Sequence, residues 1–161
     1  MRDARELGIT KNAVDAIVHR GGLTRVARGV YRFDDVPVTG RDVYMEAVLA
    51  AGRGAFLMAD AVLALHDLAQ VNPSRIRVGT TRRVRVTAPP SVEIVRLARV
   101  PLDDLTVFEA IPCNTVARAL IDCVGIVMRE RLTDAAREAA DRDLLRRSEV
   151  GRVLEALGGT S

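Results

Sequence analysis

The side chains in this sequence best suited to chemistry are arginines, and the chemistry they suit is recognition of phosphate. Arg25, Arg28 and Arg32 recur through the stretch LTRVARGVYRF. Each guanidinium offers a planar fork of donors that matches a phosphate group in two-point contact. Just upstream, Thr10, Lys11, Asn12, His19 and Arg20 add hydroxyl, ammonium, carboxamide and imidazole groups. An asparagine carboxamide can read an adenine edge, while the other groups suit backbone contact. A second set, Arg75, Arg77, Arg83 and Arg85, alternates with Ile76, Val78, Val84 and Val86. No nucleophile–base set, glycine-rich phosphate loop or cluster of carboxylates accompanies them. The expectation is a binding protein, not an enzyme, with no catalytic residue, cofactor or metal.

Three other residue sets have ordinary readings. Cys113 and Cys123 lie ten apart with no histidine nearby to complete a zinc set, and are expected to pack as apolar side chains. His66, near the end of an apolar helix, is expected to be partly buried or capping. Asp122 has no second carboxylate at useful spacing and is read as a local partner for arginine.

The elements that position the first arginine group follow from local rules. Ala4 to Leu7 make a short helical piece, and Gly8 permits the turn after it. Thr10 is a good N-cap for a helix over about 11–20, whose apolar face is Ala13, Val14, Ile17 and Val18. Gly21 and Gly22 stop it. Leu23–Val26 and Val30–Phe33 read as two short strands around Ala27-Arg28-Gly29. A hairpin with arginine at its tip, beside a polar helix, suits a phosphate backbone whose major groove receives the helix.

That stretch resembles the winged-helix N-terminus of the AbiEi-type antitoxins of bacterial toxin–antitoxin systems. The likeness is carried by Ala4, Leu7, Gly8 and Ile9, by Arg20 to Leu23, and most specifically by the R-V-x-R-G-V-Y-R run over Arg25 to Arg32. Weaker likenesses lie at Ala64-Leu65-His66 and at the I-P-x-x-x-x-A-R-A-L-I-D pattern from Ile111 to Asp122. Asp67 stands where glycine is usual, and Met58-Ala59-Asp60 where Ser, His or Arg types are common. Family members usually carry one more helix before A-R-E-L-G, and only Met1, Arg2 and Asp3 precede Ala4 here.

The resemblance implies an α+β protein with an N-terminal winged helix-turn-helix over 1–36, short of its first helix. A helical and β-hairpin antitoxin domain would follow over 39–161. It implies an antitoxin that counteracts a nucleotidyltransferase-type toxin and represses its own operon through operator DNA; whether it sits on that DNA as a homodimer is left open by the sequence. Other chains with this N-terminal pattern continue into an endonuclease-like domain, which this sequence does not reach. Two further readings stay open: a stand-alone winged-helix regulator, and a protein-interaction domain without DNA binding.

Composition sets the outer limits. The chain has 161 residues, 48% of them hydrophobic, which suits an ordinary globular protein. No apolar run approaches the ~20 residues of a membrane span, so no membrane partner is expected and the cytoplasm is the default location. The net charge of +3 conceals alternating islands, with balances of +4 over 1–33, −4 over 34–74, +6 over 75–99 and −3 over 100–161.

Along the remainder, Thr39 is expected to cap a helix over about 41–51, and a second helix runs over about 59–68. Residues 75–86 alternate strictly and predict a hairpin around Gly79-Thr80-Thr81-Arg82 with one face entirely arginine. That face is either a solvated edge or a surface for an acidic partner or nucleic acid. Val92–Val100 predicts another strand or two, and Thr106–Phe108 a short one. Asn114 is expected to cap a helix to about Val124. Helices over about 133–141 and 148–157 complete the chain.

Overall fold

Local spacing and long-range pairing together produce an α+β architecture, seen in a computed structural model that describes residues 2–84 and 87–158. The described residues form seven α-helices and two β-sheets. Helices α1 (Arg2–Glu6) and α2 (Lys11–His19) are joined by a turn through Gly8, whose N–H donates to the Arg5 carbonyl at 2.9 Å. The Thr10 hydroxyl accepts from the Ala13 N–H at 3.3 Å, which satisfies one of the orphan donors at the start of α2.

Strands β1 (Leu23–Ala27) and β2 (Val30–Phe33) pair antiparallel as a separate two-stranded sheet, with Thr24 opposite Arg32. Arg28 and Gly29 form the turn, and Gly29 sits at φ 77, which glycine tolerates without a Cβ penalty.

The larger sheet holds β3 (Phe56–Leu57), β4 (Ile76–Thr80), β5 (Val92–Arg96), β6 (Leu105–Phe108) and β7 (Ile111–Asn114) in the order β5-β4-β3-β7-β6. β4 runs parallel to β5 and antiparallel to β3; β7 runs parallel to β3 and antiparallel to β6. Helix α3 (Asp42–Ala51) lies against β3, β4 and β7 and also meets β1 and β2. Helix α4 (Asp60–Leu65) packs on β4 and α5 (Val116–Asp122), and α6 (Arg129–Asp141) and α7 (Arg147–Ala156) close around α5.

One core runs through this unit. Leu57, Val62, Leu63, Leu68, Val78, Leu120 and Leu132 are at most 1% exposed, each burial stabilising by about 1.5–3 kcal/mol before entropy is counted. Cys113 and Cys123 are unpaired and fully buried in it, and desolvation pushes their thiols up to about 11 and about 12. At neutral pH both remain thiols, inert packing groups.

Several sequence expectations need correcting. The hairpin around Gly79-Thr80-Thr81-Arg82 is not formed: Gly79 and Thr80 lie inside β4, whose neighbours are β3 and β5. Arg83 and Val84 are irregular, and Arg85 lies outside the described residues. Thr39 does not cap α3 in the usual sense. Its own N–H donates to the Asp42 carboxylate at 2.5 Å, while Arg41 occupies the cap position. Thr115, not Asn114, caps α5, accepting from the Arg118 N–H at 3.3 Å. Asn114 instead ends β7 and donates to the Asp104 carbonyl at 3.0 Å. The two-residue β3 and the strand β7 were not foreseen.

His66 is buried at 6% exposure, its ring centroid 4.4 Å from that of Phe108. Desolvation, helped by the charges of Arg142 and Arg41 and opposed by Asp67, lowers its pKa from the ordinary 6.5. The unfolded chain therefore takes up a proton at a pH where the folded chain still refuses it. This contribution to stability is complete above the unfolded value and is lost as pH falls from there towards the lowered folded value. His66→Phe should accordingly flatten the fall in melting temperature between about pH 7 and 5, the range in which histidine titrates. An unchanged slope would show that another group governs it.

Candidate nucleic-acid interface

The candidate interface is built on α2 and the β1–β2 hairpin. Val14, 5% exposed, and the partly buried Ile17 and Val18 turn one face of α2 inward, and α2 rests on β1. The remaining face is thereby presented to solvent. Thr10, Lys11, Asn12, His19 and Arg20 are all exposed. Lys11 and Asp15 form an i,i+4 ion pair at 3.9 Å, too exposed and too long to hold the lysine against a stronger anion. The Arg20 Nε donates to the Ala16 carbonyl at 3.2 Å, which tethers the base of the guanidinium at the end of α2.

The close approach of α2 to the hairpin depends on Gly22. A Cβ there would come within 3.0 Å of the Ile17 Cγ2. The hairpin presents Arg25 and Arg28 outward, Arg28 in the turn itself. The Arg25 Nε reaches the Ala27 carbonyl at 3.4 Å, a weak contact. Thr24 donates through its hydroxyl to Asp34 at 2.6 Å, an anchor at the open end of the hairpin that the sequence reading missed.

Arg32 is placed differently from its expected role. It donates through Nη1 to Glu46 at 2.7 Å, with both side chains partly buried, and ties β2 to α3. Its charge is already answered within the chain. Glu46 lies fourteen positions away, and nothing in the intervening sequence signals the pairing.

The second arginine group is dispersed. Arg75 donates through Nη2 to the Val92 carbonyl at 2.8 Å. Arg77 lies between two carboxylates, with Nη1 3.0 Å from Asp60 and Nε donating to Glu93 at 3.1 Å. Arg83 is exposed, and Arg85 falls outside the described residues. A single strand face of four free arginines is not what this sheet presents.

Other charged clusters are internal fastenings. Asp104, 4% exposed, takes Arg118 at 3.5 Å and Arg152 at 3.6 Å, tying the turn at Leu102–Asp104 to α5 and α7. Arg118 also pairs with Asp122 at 2.8 Å, and the bond to Asp122 is the main reason its pKa is raised. Asp122 is thus a local partner for arginine.

A concavity of about 470 Å³ lies between Thr39, Arg41, Tyr44, Asp67 and Glu109. Arg41 and Glu109 pair across it, so its strongest charges already satisfy one another. Among the described residues no three His, Cys, Asp or Glu side chains converge on a metal position, and no helix is long and apolar enough to cross a membrane. No family model matches the chain, and no curated protein is significantly similar to it.

Proposed function

We propose that this chain is a DNA-binding antitoxin of the AbiEi type. On this reading its N-terminal winged helix holds operator DNA and represses its own operon, and the rest of the chain counters a nucleotidyltransferase-type toxin. The observation that carries the DNA-binding part is the joint exposure of the α2 N-terminus, Thr10 to Asn12, with Arg25 and Arg28 on the neighbouring hairpin. Their spacing suits a helix end at base edges and a wing on the phosphates. The antitoxin part is supported by the resemblance of the Arg25–Arg32 run and of the segments around His66 and Ile111.

The roles divide by chemistry. Arg25 and Arg28 hold phosphate, Asn12 reads bases, and Arg32 steadies the wing through Glu46. Changing Arg25 and Arg28 together to serine should weaken binding to the DNA upstream of the gene about tenfold or more. It should also reduce the salt slope by about 2, since each lost phosphate contact removes about 0.9. Asn12→Ala should leave that slope intact and cost about 1–3 kcal/mol of discrimination at one base pair. Fluorescence anisotropy over a salt series reads both. Undiminished binding by the double serine variant would remove the wing from the interface. Toxin neutralisation is tested by co-expression with a nucleotidyltransferase-type toxin, where rescue of growth is expected.

A further inference from the structure

Three backbone segments meet at one end of the larger sheet. Phe56 pairs with Gly79, so the Gly52–Ala55 loop entering β3 lies beside the residues leaving β4. Thr80 pairs with Arg96, and the Leu97 N–H donates to the Thr80 carbonyl at 2.9 Å, which brings the end of β5 to the same place. The Arg82 N–H is turned back onto the Thr80 hydroxyl at 3.2 Å. The Arg82 Nε lies 3.8 Å from where a Cβ on Gly54 would stand, so the first loop runs close beside the second.

These segments carry Arg53, Arg82, Arg83 and Arg96, all exposed, and none of 50–57, 78–92 or 94–102 contains an aspartate or glutamate. Elsewhere the strongly placed arginines are answered: Arg32 by Glu46, Arg41 by Glu109, Arg77 by Asp60 and Glu93, Arg118 by Asp122. Among the described residues the four guanidiniums at this sheet end have no carboxylate partner. Like charges gathered without counter-charge repel one another, and an arriving polyanion relieves that repulsion.

We infer that this sheet end is a second polyanion surface, separate from α2 and the hairpin, that takes the phosphodiester backbone of duplex nucleic acid. A protein partner fits less well. Apart from the arginines the meeting loops offer glycine, alanine, threonine and the half-buried Leu97, and none of the large exposed apolar side chains lies at 52–55, 80–83 or 96–99. Protein interfaces are centred on desolvated apolar or aromatic anchors, which this surface lacks. The same loops carry no exposed aromatic on which an unpaired base could stack, which disfavours single strands. Contact should therefore follow the backbone and be indifferent to sequence. Helix α3 links this surface to the hairpin: it meets Arg32 at Glu46 and ends at Ala51, just before Arg53.

The test uses the full chain, a random-sequence duplex and the variant R53S/R82S/R83S/R96S, beside the R25S/R28S variant. The quadruple variant should lose about 3.6 from the salt slope on the random duplex, about 0.9 for each contact, and more than tenfold in affinity, with an unchanged melting temperature. The R25S/R28S chain should keep the portion of random-duplex binding that the quadruple change removes. Full binding by the quadruple variant would overturn the inference while leaving the wing reading intact. Loss of all DNA binding in R25S/R28S alone would overturn it too. Equal or tighter binding of the unaltered chain to poly-glutamate than to the duplex would also overturn it, in favour of an acidic protein partner.

Discussion

Arg77→Ala is expected to lower the unfolding free energy by about 3 kcal/mol, because removing one member of a buried charge pair leaves the other uncompensated. Asp60 has a side chain only 12% exposed, at the start of α4, and Arg77 on β4 is the one cation placed against it among the described residues. The pair is close without being well aligned. The Arg77 Nη1 lies 3.0 Å from the Asp60 Oδ2, yet neither that nitrogen nor the Asp60 Oδ1 has a hydrogen bond among the described residues. Imperfect alignment limits what the pair contributes but does not reduce the cost of stranding Asp60. Glu93, more open at 38%, should matter less, and Glu93→Ala should cost about 0–1 kcal/mol.

The comparison that isolates the mechanism is D60L/R77M. Replacing both charges with apolar groups should recover most of the loss, since a buried pair often stabilises no better than hydrophobic residues of similar volume. Urea titration at constant m-value reads each change. Arg83→Ala, at an exposed site without a carboxylate partner, should stay within about 0.5 kcal/mol of the parent. A parent-like midpoint for Arg77→Ala would mean that water screens Asp60 and that the pair is not structural.

Gly79→Ala is expected to destabilise by about 3 kcal/mol, near the top of the usual range for overpacking. A Cβ on Gly79 would stand 2.7 Å from the Cε2 and Cζ of Phe56 and 3.2 Å from the Met58 sulfur. Phe56 is 4% exposed and Met58 9%, so neither can swing into solvent. The ring must shift within a close-packed layer, or β3 must move off β4. Phe56→Leu in the same chain should relieve part of the clash, making the double variant less destabilised than the two single effects added together. Additive losses would show that Gly79 is needed for some reason other than the Phe56 ring. Because natural domains retain only about 5–15 kcal/mol of stability in total, either Gly79→Ala or Arg77→Ala should visibly lower the folded fraction at elevated temperature.

The sequence alone determined what short-range physics controls. Thr10 as a cap, Val14 and Ile17 one helical turn apart, and a tight Arg28-Gly29 turn between apolar runs settle α2, β1 and β2 nearly to the residue. The signals lie within a few positions of the bonds they specify, and the same holds for the apolar face of α5, with Val116, Ala119 and Leu120 buried. Alternation likewise marked 76–78 as extended, although the strand runs on through Gly79 and Thr80, where a turn was expected.

Tertiary structure decided what that strand sits beside. Period-two alternation states that one face is buried but says nothing about the neighbour, and here the neighbours are a parallel strand sixteen positions away and a two-residue strand too short to carry a pattern. Ion pairing between distant segments was equally hidden. Arg25 and Arg32 look alike in sequence, yet one is exposed on the hairpin and the other is held by Glu46 across fourteen positions. Arg77 and Arg83 look alike as well, but only Arg77 falls where α4 presents a buried carboxylate. Which arginines remain free for an anion depends on where carboxylates arrive from distant segments, and that arrangement exists only once the chain has folded.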